Sequence, residues 1–279
     1  MWWAYRHTGA LAALALLLST PAGAADLTME PRFAAGISYY ELELDGEIVV
    51  NNNSIDNVEF SDWLYLVGGG LTLSKDRFFM DFYGQYSFDG EDDLDLDIAA
   101  GGIVVDNLEQ DVEFDRIETA ITIGYRVTDQ FAPFIGFRYA DVDFDGSGSL
   151  GAISADFSTD FRQRGPFIGA GYVIPKTVFG GAFVANAAVA YLDGDLENKL
   201  EVSQQLADVA FDIDGTAIGF NAGASWVTPL TGQLKLVLGA DVARYSFDDD
   251  DDETDFDELI TRFRTELRYS FGVGGAGSQ

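Results

Sequence analysis

The chain has 279 residues, with 47 Asp and Glu against 16 Lys and Arg, a formal net charge of −31, no cysteine and one histidine. Such a charge repels nucleic acid and favours divalent cations or cationic ligands, while the lack of cysteine excludes disulfides, thiolate nucleophiles and zinc–thiolate clusters. The histidine is His7, inside a leader, so the rest of the chain lacks the side chain that most readily exchanges protons near neutral pH.

At the N-terminus, Arg6 and His7 precede an apolar run from Gly9 to Leu18, and Pro21, Ala22, Gly23, Ala24 and Ala25 offer small residues for cleavage. Residues 1–25 are therefore expected to be a secretory signal peptide, and their apolar run is far shorter than the roughly 20 residues of a spanning helix. The remainder is long enough for one all-β domain.

Period-2 alternation with turn residues between runs predicts ten strands, at about 32–41, 62–73, 77–88, 115–127, 132–141, 161–174, 179–192, 214–227, 232–247 and 258–271. A bilayer needs about 9 to 11 tilted residues per strand. Short turns near Ser74 to Asp76, Thr128 to Gln130, Pro175 to Thr177 and Thr228 to Thr231 alternate with long acidic segments at 42–61, 89–114, 142–160, 193–213 and 248–257. This asymmetry predicts a transmembrane antiparallel up-and-down β-barrel over 26–271, with short periplasmic turns, long extracellular loops and a flexible tail at 272–279.

Facing follows from which parity carries charge. Phe78, Met80, Phe82 and Tyr86 are expected to face lipid, as are Ile117, Ile121 and Ile123, and Leu234, Leu236 and Leu238. The opposite parity places Asp81, Arg116, Glu118, Arg126, Arg138, Lys235, Asp241, Arg262, Arg264, Glu266 and Arg268 in a narrow lumen, where opposite charges pair and Glu118, Asp81 and Asp241 are the expected partners of the closing-strand Arg262, Arg264 and Arg268. Arginine must look inward here, because a midplane Arg on the lipid face costs about 2–4 kcal/mol. Ten strands give a backbone radius of roughly 10 Å, which side chains largely fill, so a wide channel is not expected. Inward glycines such as Gly36, Gly68, Gly70, Gly124, Gly136 and Gly239 leave two readings, a narrow water path or, the favoured one, room for arginine and tyrosine from opposite strands.

Several segments alternate acidic and apolar residues, among them Glu41 to Gly46, Asp93 to Asp97, Asp141 to Gly146 and Asp212 to Gly215. Asp141, Asp143 and Asp145 match the front half of an EF-hand loop, but Ala152 stands where its bidentate Glu belongs, so only weak calcium or magnesium attraction is expected. The run from Asp248 to Asp252 reads as a solvated tip, and no P-loop, dinucleotide or zinc motif is present.

The signal peptide, the alternating strands and the closing Leu267, Tyr269 and Phe271 resemble small bacterial outer-membrane β-barrel proteins of the opacity-protein and porin-like group. That resemblance implies the outer membrane as location, lipid and lipopolysaccharide as surroundings, and insertion by an assembly machinery that reads Leu267, Tyr269 and Phe271. Outer-membrane proteases, phospholipases and lipid A-modifying enzymes rely on a histidine in the site, so a non-enzymatic barrel with a filled lumen is expected. The alternatives are a narrow porin-like channel for small solutes or cations and a surface adhesin or ligand-binding barrel.

Overall fold

The computed structural model describes residues 27–50, 53–100, 103–150, 153–202, 207–249 and 255–273; the expected signal peptide lies outside them. Each strand pairs antiparallel with the next: β1 (Leu27–Val50), β2 (Asn53–Lys75), β3 (Phe78–Ala100), β4 (Ile103–Tyr125), β5 (Phe131–Leu150), β6 (Ile153–Val178), β7 (Gly181–Val202), β8 (Ala207–Pro229), β9 (Leu234–Asp249) and β10 (Asp255–Tyr269). β10 then returns to β1, in register from Arg32 opposite Arg268 to Asp45 opposite Asp255, and closes the barrel.

The strands outrun the sequence expectation. Acidic–apolar alternation is itself a period-2 pattern, so the ladder continues through most of each long acidic segment as extended strand. A 24-residue strand such as β1, rising about 3.3 Å per residue at a tilt near 40°, stands about 60 Å tall, roughly twice the ~30 Å hydrocarbon core. About half of the wall therefore rises beyond the bilayer.

Polarity inverts between the halves. Near the short turns the outer surface is apolar, with Phe33, Ile135, Ile168, Ile218 and Phe263 exposed, and the aromatic pairs Phe78–Tyr125 and Tyr39–Trp63 have ring centroids 4.8 and 5.4 Å apart. Further up, the outward parity becomes acidic, including Asp143, Glu197 and Asp212, while Tyr40, Phe60, Phe114, Phe144, Phe161, Phe247 and Phe256 fill the interior.

Two local differences from expectation have clear causes. The third short turn sits at Phe179 and Gly180, both at positive φ (51° and 78°), as a two-residue hairpin requires; the Pro175 region instead produces a register shift between Ile174 and Thr177. At the C-terminus the ladder breaks at Ser270, and β11 (Phe271–Val273) re-pairs with β1, placing Gly272 and Val273 in the sheet rather than in a tail.

Candidate functional site

Side chains two apart on a strand share a face, so β10 projects Glu258, Ile260, Arg262, Arg264, Glu266 and Arg268 into the lumen one above another. The acidic and basic members meet charges from β1, β4 and β9.

At mid-height lies a dry belt. Arg116 on β4 donates Nη1 to Glu258, and both are buried. Glu118, two residues on, faces three guanidinium groups: Arg262 at 2.9 Å, Arg138 at 3.5 Å and Arg116 at 3.8 Å. Arg262 also donates Nε to Asp241 at 2.7 Å. Three cations thus balance three carboxylates. Arg138 lies 4.3 Å over the Tyr245 ring, which packs so closely on Gly219 that a Cβ there would stand 1.8 Å from the ring. Buried ions are tolerated only beside opposite charges, because each costs several kcal/mol to desolvate.

Below the belt the pairs are partly wet. Arg264 reaches Asp241 at 3.1 Å and Glu266 at 3.0 Å, and Arg268 donates to Glu266 at 2.6 Å. Lys235 meets Glu30 at 2.5 Å. Arg32 grips Asp81 with two nitrogens at 2.6 and 2.7 Å, the bidentate geometry that makes such pairs strong. Gly70 makes room for it, since a Cβ would come 3.0 Å from the guanidinium carbon.

Ten of the eleven charges expected in the lumen lie there, and two of the three partners expected for the closing-strand arginines are Glu118 and Asp241. The third, Asp81, instead belongs to Arg32. Arg126 is the exception: it is exposed at the turn end, donating to the Ser74 hydroxyl at 3.3 Å and the Asp76 carbonyl at 3.5 Å, with Phe79 beneath it. Arg126 stands one residue past the end of β4 at Tyr125, beyond the rim, so inward parity no longer means lumen. Glu30, Arg32 and Glu258 belong to the network without having been singled out from the sequence. Glu258 closes an acidic run, and only its shared parity with Arg262 marks it as inward.

Asp141, Asp143 and Asp145 face outward on β5 and do not converge. Asp141 accepts a hydrogen bond from Tyr139 at 2.9 Å and lies 3.7 Å from Arg162. Asp143 stands directly opposite Asp115 on one side and Asp160 on the other. Partial burial, a hydrogen bond with Asp160 and the neighbouring charges of Asp141, Asp160 and Asp115 push its carboxyl up to about 6. Among the described residues no group of three or more acidic side chains is arranged to hold a metal ion. The side chains of Asp93, Asp95, Asp97 and 249–255 lie outside the described residues.

No protein-family pattern and no curated protein sequence matches the chain. Among solved structures the barrel is similar to the outer membrane protease OmpT from Escherichia coli, at 8% identity over 88% of this chain and 97% of that chain, with a TM-score of 0.60. The translocator domain of the autotransporter NalP from Neisseria meningitidis is a second, at 11% identity over 94% and 95%, with a TM-score of 0.49. At such identities the likeness is one of fold. The chain is a closed ten-strand antiparallel barrel with the architecture of outer-membrane proteins.

Proposed function

We propose that the chain is a non-enzymatic integral outer-membrane barrel, closed to solutes by its own side chains, whose tall acidic wall serves a structural or surface-interaction role outside the cell. One observation carries this reading: above the neutral belt, the interior is filled by Phe114, Phe144, Phe161, Phe247 and Phe256, with the stacked Phe247–Phe256 pair at 4.5 Å. An ion crossing that layer would lose its water without gaining a partner.

On this reading the outward carboxylates hold calcium or magnesium as diffuse counterions rather than in a formed site. Lipid and lipopolysaccharide surround the apolar band, and Leu267, Tyr269 and Phe271 supply the signal to the assembly machinery.

Planar-bilayer recording tests the closure. The unmodified protein is expected to give no stable conductance steps; stable steps would overturn the reading in favour of a narrow channel.

A further inference from the structure

We propose that the lower lumen is a blind vestibule, entered only from the turn end, that takes a small anion. This rests on the aromatic seal argued above and goes beyond it by assigning the space beneath.

The first observation is a step in exposure between the lumen-facing arginines of β10. The side chains of Arg268 and Arg264 keep 28% and 27% of their surface accessible, with Glu266 covered between them at 3%, against 6% for Arg262 and 0% for Glu258. Solvent-sized space therefore reaches up to Arg264 and stops at the belt. On the inward faces of β7 and β8, Asn186, Ala188, Asn221, Gly223 and Ser225 are likewise partly accessible, whereas Leu192, Leu196, Ile213 and Ala217 on the same strands higher up are buried. One wall of the vestibule is thus made of small hydrogen-bonding and glycine residues that leave room.

The second observation is charge placement. Lys235, Arg268 and Arg32 stand directly opposite one another in a single row across β9, β10 and β1. Like charges directly opposed on neighbouring strands are unfavourable, and here Glu30, Glu266 and Asp81 share the compensation. Counting Arg264, four cations face three carboxylates below the neutral belt. Arg126 adds a further exposed cation at the turn end. In a protein of net charge −31, this is a local positive field in a low-dielectric cleft, which concentrates small anions.

The absence of native cysteine allows a direct test. Asn221→Cys and the near-isosteric Ser225→Cys place a thiol in the vestibule, and Ser158→Cys places one on the outward face of the upper wall. Each is folded into lipid vesicles, checked by its heat-modifiable gel mobility, and treated with an anionic sulfonatoethyl or a cationic trimethylammonioethyl methanethiosulfonate. Rates are normalised to those of free cysteine.

Ser158→Cys is expected to react with external reagent and so reports the oriented fraction. In that fraction the vestibule thiols should react only once the vesicles are made leaky. They should then favour the anionic reagent about tenfold at low salt, the low end of electrostatic focusing, and less at high salt. Arg264→Gln or Lys235→Gln should bring the ratio towards one.

External labelling of Asn221→Cys to the extent of Ser158→Cys would overturn the seal, and the proposed function with it. Folded protein whose vestibule thiols stay unreactive after permeabilisation would overturn the vestibule and leave the seal standing. A cationic reagent that reacts as fast as the anionic one would overturn the anion assignment alone.

Discussion

The two halves of the wall have the same strands and opposite chemistry. In the membrane half the apolar parity faces out and the charged parity faces in; in the upper half acidic residues face out and aromatic residues face in. The backbone rule is the same in both, since side chains alternate with period 2 throughout. What changes is the surrounding phase. Lipid demands an apolar exterior and forces charge into the lumen, where it must be paired, while water restores the ordinary arrangement of a soluble β protein. The crossover is visible along single strands. On β5, Ile135 and Phe137 face lipid below Asp141 and Asp143 on the same face, and Arg138 faces the lumen below Val142 and Phe144.

The most damaging change should be one that unpairs the dry belt. Glu258→Ala removes the direct partner of Arg116, which at 2% exposure keeps only the Glu118 carboxylate at 3.8 Å, already shared with two other arginines, and should cost about 3–5 kcal/mol, read as a lower midpoint in a urea titration of the heat-modifiable form. A truncation in the soluble-like half should cost nearly as much by a different route. Phe247→Ala opens a cavity between Phe161 and Phe256 and should lose about 3–5 kcal/mol through lost contacts, with no dependence on salt. A Glu258→Ala loss well below that of an exposed salt bridge would show that water reaches the belt and that the division is misplaced.

A matched pair sharpens the boundary itself. Ile135→Arg puts a charge in the apolar band and should destabilise by about 2–4 kcal/mol. Ser158→Arg, outward on the upper wall beside many carboxylates, should stay within about 0.5 kcal/mol of the parent. Equal penalties for the two would mean that the band extends higher than the polarity inversion indicates.

Much of this division was legible in the sequence, because parity needs only one strand at a time. The alternation in β10 names its inward arginines, and the spacing of short turns orders the strands. Height and partnership were not legible, because they depend on how each strand is staggered around the ring. Arg116 and Glu258 are 142 residues apart and meet only through that stagger, and Asp81 has the parity of a partner for the closing-strand arginines but stands level with Arg32 on β1. The aromatic layer was hidden for another reason. Phe114, Phe144 and Phe256 alternate with carboxylates in segments whose charge density reads as solvated loop, so the apolar half of each alternation had no assigned place.

The smallest effect expected is one of pH, and it belongs to the upper half alone. Across β4 to β8 the outward residues Asp115, Asp143, Asp160, Glu197 and Asp212 stand directly opposite one another in a single row; Arg162, beneath it, meets Asp160 at 3.5 Å and Glu197 at 3.1 Å. Asp143 sits between two of these carboxylates, so its folded form holds a proton up to about pH 6, whereas an unfolded Asp releases it near 3.8. Between those values the folded state binds more protons than the unfolded one, so stability from this group is complete below 3.8 and is lost as pH rises through 6. Acidification from 7.5 to 5 should therefore raise the protection of β5 and β6 amides in their upper halves, after correction for intrinsic exchange, and leave the membrane half unchanged. Asp143→Asn should be better protected than the parent at pH 7.5 and flat across the range. If the parent is equally flat, the opposed carboxylates are screened by counterions and the upper wall carries no proton-linked strain.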